Sequence, residues 1–361
     1  MNTTVQAILN LIAVLTGSAP TVVLQTVDAL KQLYAALGGN PADVFNISKI
    51  PDMVNKLADF TRDVNYKSMF EGLIDGTIET LIIPEGVETI ATRGNVAGRD
   101  IGPFANLTNI KNVILPKSLK TIGNGAFYGC SNLTNIVIPN GVTSIGDYAF
   151  YGCTRLVSIE IPSSVTNIGN YAFYECESLA RIKIPSGVTS IGNNAFNGCS
   201  SLASIELPSG LTSIGSNAFQ ACKSLTSVEI PAGVTSIGSS AFFNCTNLAS
   251  LVMKASPTTM GTDNTTANNK PFYGCAALKN ITFTEGVTAI KRYAFYGSIT
   301  NAEAVVTILA SAPTIGENAF NGMVAGSEIR CAFAEGAVSG APWGATNATI
   351  TYDYTPPEEA A

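Results

Sequence analysis

The sequence predicts an α+β protein in which a small helical N-terminal domain precedes a parallel β-solenoid of about ten coils. Two observations lead to this fold class: a 23-residue unit recurs almost unchanged over residues 122–253, and residues 1–75 lack it. A fixed period of roughly 20 to 50 residues is typical of a solenoid. Two residue types mark the register at this period: Phe127, Phe150, Phe173, Phe196, Phe219 and Phe242, with Cys130, Cys153, Cys176, Cys199, Cys222 and Cys245.

Each repeat divides into two extended pieces and a corner. In the copy at residues 139–161, a Leu-x-x-Ile-x-Ile strand alternates with period 2, and the next proline ends it because proline has no N–H to donate. Residues 142–145 form a second extended piece, closed by Gly146, which we expect to adopt the positive φ of a sharp corner. Residues 147–152 suit one helical or 3₁₀ turn. Because one coil cannot bury its own apolar face, the coils are expected to stack with like residues in contact.

These units carry the pattern I-P-x-x-V-x-x-I-G-x-x-A-F-x-x-C-x-x-L-x-x-I and resemble the BspA-type leucine-rich repeat family. The resemblance covers about residues 78–329. It implies a right-handed, curved leucine-rich-repeat solenoid in which the Leu-x-x-Ile-x-Ile strands form a parallel sheet on the concave side. It also implies a binding or adhesion role without enzymatic activity.

Composition and charge argue against several functions. The 361-residue chain has 13% charged residues, a net charge of −6 and scattered basic residues, which is unlike a nucleic-acid or anionic-membrane surface. It contains no histidine, which excludes histidine triads, bases and metal ligands. No spaced carboxylate pair or phosphate-binding glycine loop indicates catalysis. We therefore predict no catalytic residues, no metal and no cofactor, and no membrane insertion, since no stretch reaches the roughly 18 apolar residues of a transmembrane helix.

The eight cysteines allow a disulfide or a metal-site interpretation. Six lie in one inward column, Cys275 continues that column after an insertion, and Cys331 lies outside it. Adjacent coils are roughly 4.8 Å apart, but parallel Cβ vectors are poorly placed for a bridge. We expect the column to be a ladder of reduced, buried thiols that act as small apolar residues.

Residues 1–75 are predicted to form helices and to serve as an attachment or assembly domain. Residues 5–15 are apolar at helical spacing and form the first predicted helix. A third helix is expected to begin at Pro51. The second helix, between these two, starts near Thr21 and carries one apolar stripe: Val23, Val27, Leu30, Leu33, Tyr34 and Leu37. These stripes are too few and too short to bury each other, so we expect residues 1–60 to contact another copy of the chain or a larger particle.

A cleaved signal peptide is the alternative interpretation of residues 5–15. No Lys or Arg precedes Lys31, however, and Gln6 and Asn10 interrupt the apolar core. We favour a structural helix. Export by the general pathway is then not expected.

The repeats are expected to occupy residues 76–326. A C-terminal cap with a disordered tail is expected to occupy residues 327–361. Two insertions, residues 91–103 and 262–270, delay the phenylalanine at one point of the repeat, so both should emerge on the same edge of the solenoid. Such insertions are either functional or tolerated surface additions. A Ca²⁺ site in the second insertion is a further alternative, although its spacing matches no calcium loop; its candidate ligands are Asp263, Asn264, Asn268 and Asn269.

Two outward columns supply candidate binding residues. Strand alternation is expected to place five charged residues on the concave face, where a solvated cross-strand ladder is the simpler interpretation: Glu160, Arg181, Lys183, Glu206 and Glu229. Directly after the core phenylalanines runs an aromatic column, which could bind a glycan or protein or could merely pack beside the phenylalanines: Tyr128, Tyr151, Tyr174, Tyr273 and Tyr296.

The preferred function is adhesion, with a cell-surface glycan or protein as the partner. A helical N-terminal domain, these repeats and the ending at residues 331–344 resemble bacteriophage virion-associated proteins, which implies a tail or surface protein that contacts the host cell. The expected location is therefore a virion or an extracellular surface, with other virion proteins or another copy as partners of residues 1–60. A purely structural virion or scaffold component is one alternative. A bacterial adhesin of the BspA kind is the other.

Overall fold

A computed structural model describes residues 79–83, 85–90, 94–96, 99–102, 104–260 and 270–356. The predicted N-terminal helices, the calcium candidates and the last five residues of the tail lie outside this part of the chain. Its strands are β1 (Thr80–Ile82), β2 (Thr89–Ile90), β3 (Gly94–Val96), β4 (Arg99–Ile101), β5 (Asn112–Ile114), β6 (Thr121–Ile122), β7 (Asn135–Val137), β8 (Ser144–Ile145), β9 (Ser158–Glu160), β10 (Asn167–Ile168), β11 (Arg181–Lys183), β12 (Ser190–Ile191), β13 (Ser204–Glu206), β14 (Ser213–Ile214), β15 (Ser227–Ile230), β16 (Ser236–Ile237), β17 (Ser250–Met253), β18 (Thr259–Met260), β19 (Asn280–Phe283), β20 (Ala289–Ile290), β21 (Val305–Ile308), β22 (Thr314–Ile315), β23 (Glu328–Cys331) and β24 (Thr349–Thr351).

The Leu-x-x-Ile-x-Ile strands form a first parallel sheet along one side of the solenoid. It is built in two hydrogen-bonded blocks, β1-β5-β7-β9-β11-β13 and β15-β17-β19-β21-β23-β24. β13 lies beside β15, and the Thr226 N–H donates to the Ala203 carbonyl just before these strands, so the blocks are neighbours. The middle residue of each three-residue strand from β5 to β13 is buried and its two neighbours are mostly exposed, as period-2 alternation requires.

A second parallel sheet follows each strand of the first after a short turn. Its two-residue strands pair in the order β18-β16-β14-β12-β10-β8-β6-β2, and β20 pairs with β22. Ten coils therefore contain both a first-sheet and a second-sheet strand, and β23 and β24 extend the first sheet at the C-terminal end. The predicted parallel β-solenoid of about ten coils is confirmed, whereas the helical domain stays a prediction.

The third side of each coil is made of turns around the phenylalanine column. Adjacent rings stack with centroids 5.1–5.9 Å apart from Phe104 to Phe320. The helical or 3₁₀ turn predicted for residues 147–152 is wrong. Tyr148 and Gly152 have φ of 58° and 69°, which no right-handed helix contains, and the Phe150 N–H donates to the Ala172 carbonyl of the next coil at 2.8 Å.

The role predicted for Gly146 is also wrong. Its φ is not positive. A Cβ at this position would instead lie 2.5 Å from Asn124 Oδ1 and 2.6 Å from the Asn124 backbone nitrogen, in the preceding coil. The glycine is required because adjacent backbones approach closely at this corner, and the same contact recurs at Gly169, Gly192, Gly215 and Gly238.

The two insertions leave the column in register. Phe104 and Phe272 come late in the sequence, yet they stack on Phe127 and Phe242 at 5.8 and 5.1 Å. Each insertion follows a second-sheet strand, β2 or β18, so both leave the solenoid at the same corner. The described part of the first one forms an antiparallel hairpin of β3 and β4.

The C-terminal end continues the first sheet and covers its core. β23 pairs with β21 and β24 with β23, both in parallel. The Trp343 side chain is buried, and its indole N–H donates to the Ser339 carbonyl at 2.9 Å. Glu328 accepts hydrogen bonds from Arg330 and Thr351, both at 2.9 Å, which links the last two strands.

Candidate binding surfaces

The outward face of the first sheet brings four of the five predicted charged residues together. Sheet register places Lys183 beside Glu206 and Glu160 beside Val137. Lys183, Glu206 and Glu160 border a trough of about 880 Å³ over β9, β11 and β13. Its charged lining residues are Glu160, Arg181, Lys183 and Glu206. The fifth residue, Glu229, is not part of the trough lining and forms a 2.8 Å ion pair with Lys254.

The trough presents alternating charges to solvent. Glu160, Lys183 and Glu206 are exposed, and within the described chain Lys183 forms no ion pair with either carboxylate. Such cross-strand charge neighbours stabilise a sheet by only a few tenths of a kcal/mol per pair. Folding therefore leaves most of their interaction energy available to a bound molecule.

An exposed aliphatic patch adjoins the trough, and sequence reasoning did not find it. Ile82, Ile114 and Val137 occupy one outward column of β1, β5 and β7 and are 44%, 53% and 64% exposed. Val157 directly precedes β9, is 53% exposed and lines the trough. These four are the exposed large hydrophobic residues of the described chain. The sequence feature that indicates most of this patch is an apolar residue two positions before the proline in each of the first three coils.

The predicted aromatic column separates into two parts. Tyr128, Tyr151 and Tyr174 are half-buried and stack face to face, with centroids 4.6 and 4.7 Å apart. Tyr273 stacks on Phe243 at 5.9 Å, whereas Tyr296 packs edge-on against Tyr293 at 5.7 Å. The column is interrupted between these parts by Asn197 and Gln220, whose side chains hydrogen-bond to each other at 3.4 Å.

A second row of tyrosines widens the first part of the column. Tyr148 and Tyr171 stack at 4.8 Å, and each also contacts a ring of the first row. Both have positive φ, 58° and 56°, at a position where other coils have Asn194 and Asn217. Asparagine adopts this conformation far more readily than tyrosine, whose backbone strain here is about 1 kcal/mol or more.

The cysteine column is a buried ladder of thiols. All eight cysteines are free, and each thiol from Cys130 to Cys275 donates to the carbonyl of a phenylalanine in the preceding coil, at 3.1–3.3 Å. Burial raises the pKa of Cys130 to about 12. Thiolate is the nucleophile and the metal ligand, so this environment keeps the thiols unreactive. Among the described residues no group of three acidic, cysteine or histidine side chains could hold a metal ion.

A regular asparagine column was missed by the sequence reasoning. Asn124 Oδ1 accepts a hydrogen bond from the Asp147 N–H at 3.0 Å, and Asn170 Oδ1 accepts one from Asn193 at 2.8 Å. In the next coil the Ser216 N–H donates a hydrogen bond to Asn193 Oδ1 at 2.7 Å. The sequence feature that indicates this column is the polar residue after each Ile-Gly pair.

The described residues contain no helix that is long and apolar enough to cross a bilayer.

Comparison with solved structures gives other leucine-rich repeat proteins. One from Bacteroides ovatus is 25% identical over 76% of this chain and 75% of its own, with a TM-score of 0.45. One from T. pallidum is 29% identical over 55% of this chain and 83% of its own, with a TM-score of 0.39. A leucine rich cell surface protein from Faecalibacterium prausnitzii is 25% identical over 77% and 88%, with a TM-score of 0.42. No curated protein matches the chain.

A family profile described as a BspA type leucine rich repeat region, in six copies, matches residues 100–199, 166–264 and 259–332. These overlapping matches cover more than half of the chain. Leucine-rich repeat proteins generally bind other proteins or surface molecules, and their solenoid is typically a non-enzymatic scaffold. The chain belongs to the BspA-type leucine-rich repeat family.

Proposed function

We propose that this protein is a non-enzymatic adhesion protein that holds a cell-surface partner on the outward face of its first sheet. The observation that carries the proposal is the trough in which Arg181 and Lys183 lie between Glu160 and Glu206. The sheet fixes the spacing of these charges, so a partner with a complementary pattern meets them without any rearrangement of the backbone.

A protein partner suits this face better than a neutral glycan. Two basic residues flanked by two carboxylates require a partner with the opposite pattern of charge. Such mixed patterns of charge are common on protein surfaces. Glycan binding is the second candidate, and the stacked rings of Tyr128, Tyr151 and Tyr174 favour it, since tyrosine edges combine apolar contact with hydroxyl groups.

We propose a bacteriophage virion as the setting, with residues 1–75 as the attachment or assembly domain. The support is the resemblance of residues 331–344 and of the N-terminal segment to virion-associated proteins. In this arrangement residues 1–60 contact other virion proteins or another copy, and the repeats face the host cell. Peptides of this chain in purified phage particles, or tail and capsid genes beside its gene, are the expected finding. Their absence, together with the chain on intact bacterial surfaces, would favour the adhesin alternative.

Binding of the full chain to arrays of glycans and of cell-surface proteins tests the proposed face. The double variant Arg181→Glu with Lys183→Glu should weaken binding to any retained array member at least about tenfold, which corresponds to about 1.4 kcal/mol. Lys120→Glu, an exposed charge reversal just before β6 of the second sheet, is the matched control and should bind as the wild type does. Equal binding by all three chains would place the ligand elsewhere. If Tyr151→Ala weakened binding about tenfold and the double variant did not, the result would favour the aromatic column as the binding surface.

A further inference from the structure

We propose that the apolar stripe predicted for residues 23–37 packs, within the same chain, against the exposed aliphatic patch of Ile82, Ile114, Val137 and Val157, while the rest of residues 1–60 stays available to other virion proteins or another copy. This inference does not depend on the ligand of the trough. It assigns an occupant to a surface that the adhesion function leaves unexplained.

The patch is a built surface, because its residues are neighbours through the sheet register. Thr80, Leu81 and Ile82 pair with residues 112–114, so Ile82 lies beside Ile114. The following pairing of Val113 with Ile136 places Ile114 beside Val137. The side chains are therefore about 4.8 Å apart along the sheet. A contiguous exposed aliphatic surface of this kind marks a contact site in a folded protein.

The patch is confined to the coils that follow the N-terminal segment. Beyond Val137 the same column continues as Glu160, Lys183, Glu206 and Glu229. The next apolar residue of the column, Val252, is only partly exposed, so the exposed apolar positions of the column occupy the first three coils. The N-terminal segment ends at residue 78, two positions before β1 begins. A ligand surface spread over the whole sheet would not require this restriction.

The sequence of the N-terminal segment predicts a complementary apolar surface within reach of the patch. Its predicted stripe, at residues 23–37, is separated from β1 by about 40 residues, a chain that reaches far beyond the width of three strands. A tether of this length keeps the effective concentration of the segment near the millimolar range, far above the concentration of a second copy in solution. Packing within the chain is therefore favoured over exchange between copies.

Photo-crosslinking of the full chain tests the contact. A benzoylphenylalanine probe at Val137 should crosslink to peptides from residues 1–78, and in a mixture of ¹⁴N- and ¹⁵N-labelled protein the crosslinked pairs should carry one isotope only. The matched control is the same probe at Val252, which lies in this column on β17 beside Glu229 and should give no such product. Mixed-isotope pairs would mean that a second copy covers the patch, and no crosslink to residues 1–78 would also overturn the proposal.

Limited trypsin digestion gives an independent readout. Val137→Glu should increase the rate of cleavage after Lys31 at least about tenfold, because an ionised carboxylate is poorly tolerated in an apolar contact. Val252→Glu is the control and should leave the rate unchanged. Val137 is 64% exposed, so its substitution leaves the solenoid core intact, and circular dichroism would verify this. Equal cleavage rates in the wild type and in Val137→Glu would contradict the proposal.

Discussion

The carboxylate of Asp147 accepts a 2.6 Å hydrogen bond from the backbone N–H of Asn170, the residue at the same place in the next coil. The column repeats this contact from Asn124 to Ser216, so each side chain satisfies a backbone donor of its neighbour. Coils are therefore joined at their corner by side chains as well as by the two sheets. The polar residue after Ile-Gly is a structural requirement of stacking.

Asn193→Ala should lower the free energy of unfolding by about 1 kcal/mol, since the Ser216 N–H loses its acceptor. Asn193→Asp should change it by much less, because an aspartate already fills this role at position 147. Urea denaturation of the two variants measures the difference. Equal losses would show that the hydrogen bond is unimportant for stability.

Phe173→Ala should cost roughly 3–5 kcal/mol, because the ring is fully buried and stacks on Phe150 and Phe196 at 5.3 Å. Chemical denaturation monitored by circular dichroism gives this value. Phe243→Ala, at a half-buried position on the neighbouring column, is the comparison and should cost less. A loss below about 1 kcal/mol for Phe173→Ala would mean that the stacked register is incorrect.

Gly192→Ala should destabilise the protein by about 2 kcal/mol or more, although its φ is not positive. A Cβ there would lie 2.7 Å from the carbonyl carbon and oxygen of Gly169, which are backbone atoms and cannot rotate away. Gly210→Ala is the matched control, since its nearest atom would be 3.5 Å away, an ordinary contact. Thermal denaturation should separate the two variants clearly, and equal midpoints would contradict the close-approach argument.

The thiol column should make stability fall at alkaline pH. Burial raises the pKa of Cys130 from 9.0 to about 12, so its stabilising contribution is complete below pH 9 and is lost as the pH rises towards 12. In that window the unfolded chain has released a proton that the folded chain keeps, and each such thiol lowers the free energy of unfolding by about 1.4 kcal/mol per pH unit. Urea unfolding between pH 8 and 10.5 should show a shallower dependence for Cys130→Ala than for the wild type. Identical slopes would contradict the role of the thiol.

The sequence was sufficient for the repeat register because the phenylalanine column is a matter of counting and burial. Phe104 and Phe272 were placed in that column despite their insertions, and both rings stack there. Contacts between coils were harder to predict. The requirement for Gly146 depends on the backbone nitrogen of Asn124, 22 residues earlier, and the strain at Tyr148 is evident only once its φ is known.

The candidate site was predictable in part for the same reason. Strand alternation correctly placed Glu160, Lys183 and Glu206 on one exposed face. The apolar patch was missed because Ile82 and Ile114 look like ordinary strand residues in their own repeats, and only the register shows that both face outward.

Carboxyl footprinting of the chain while it is retained on a cell surface tests the central claim most directly. Carbodiimide labelling in the free and the bound protein, read by mass spectrometry, reports on each exposed carboxylate. Binding to the outward face of the first sheet predicts at least about fivefold protection of Glu160 and Glu206, where the trough is covered, and no protection of Glu285 in the turn after β19. Unchanged labelling of Glu160 and Glu206 in the bound protein would contradict the account.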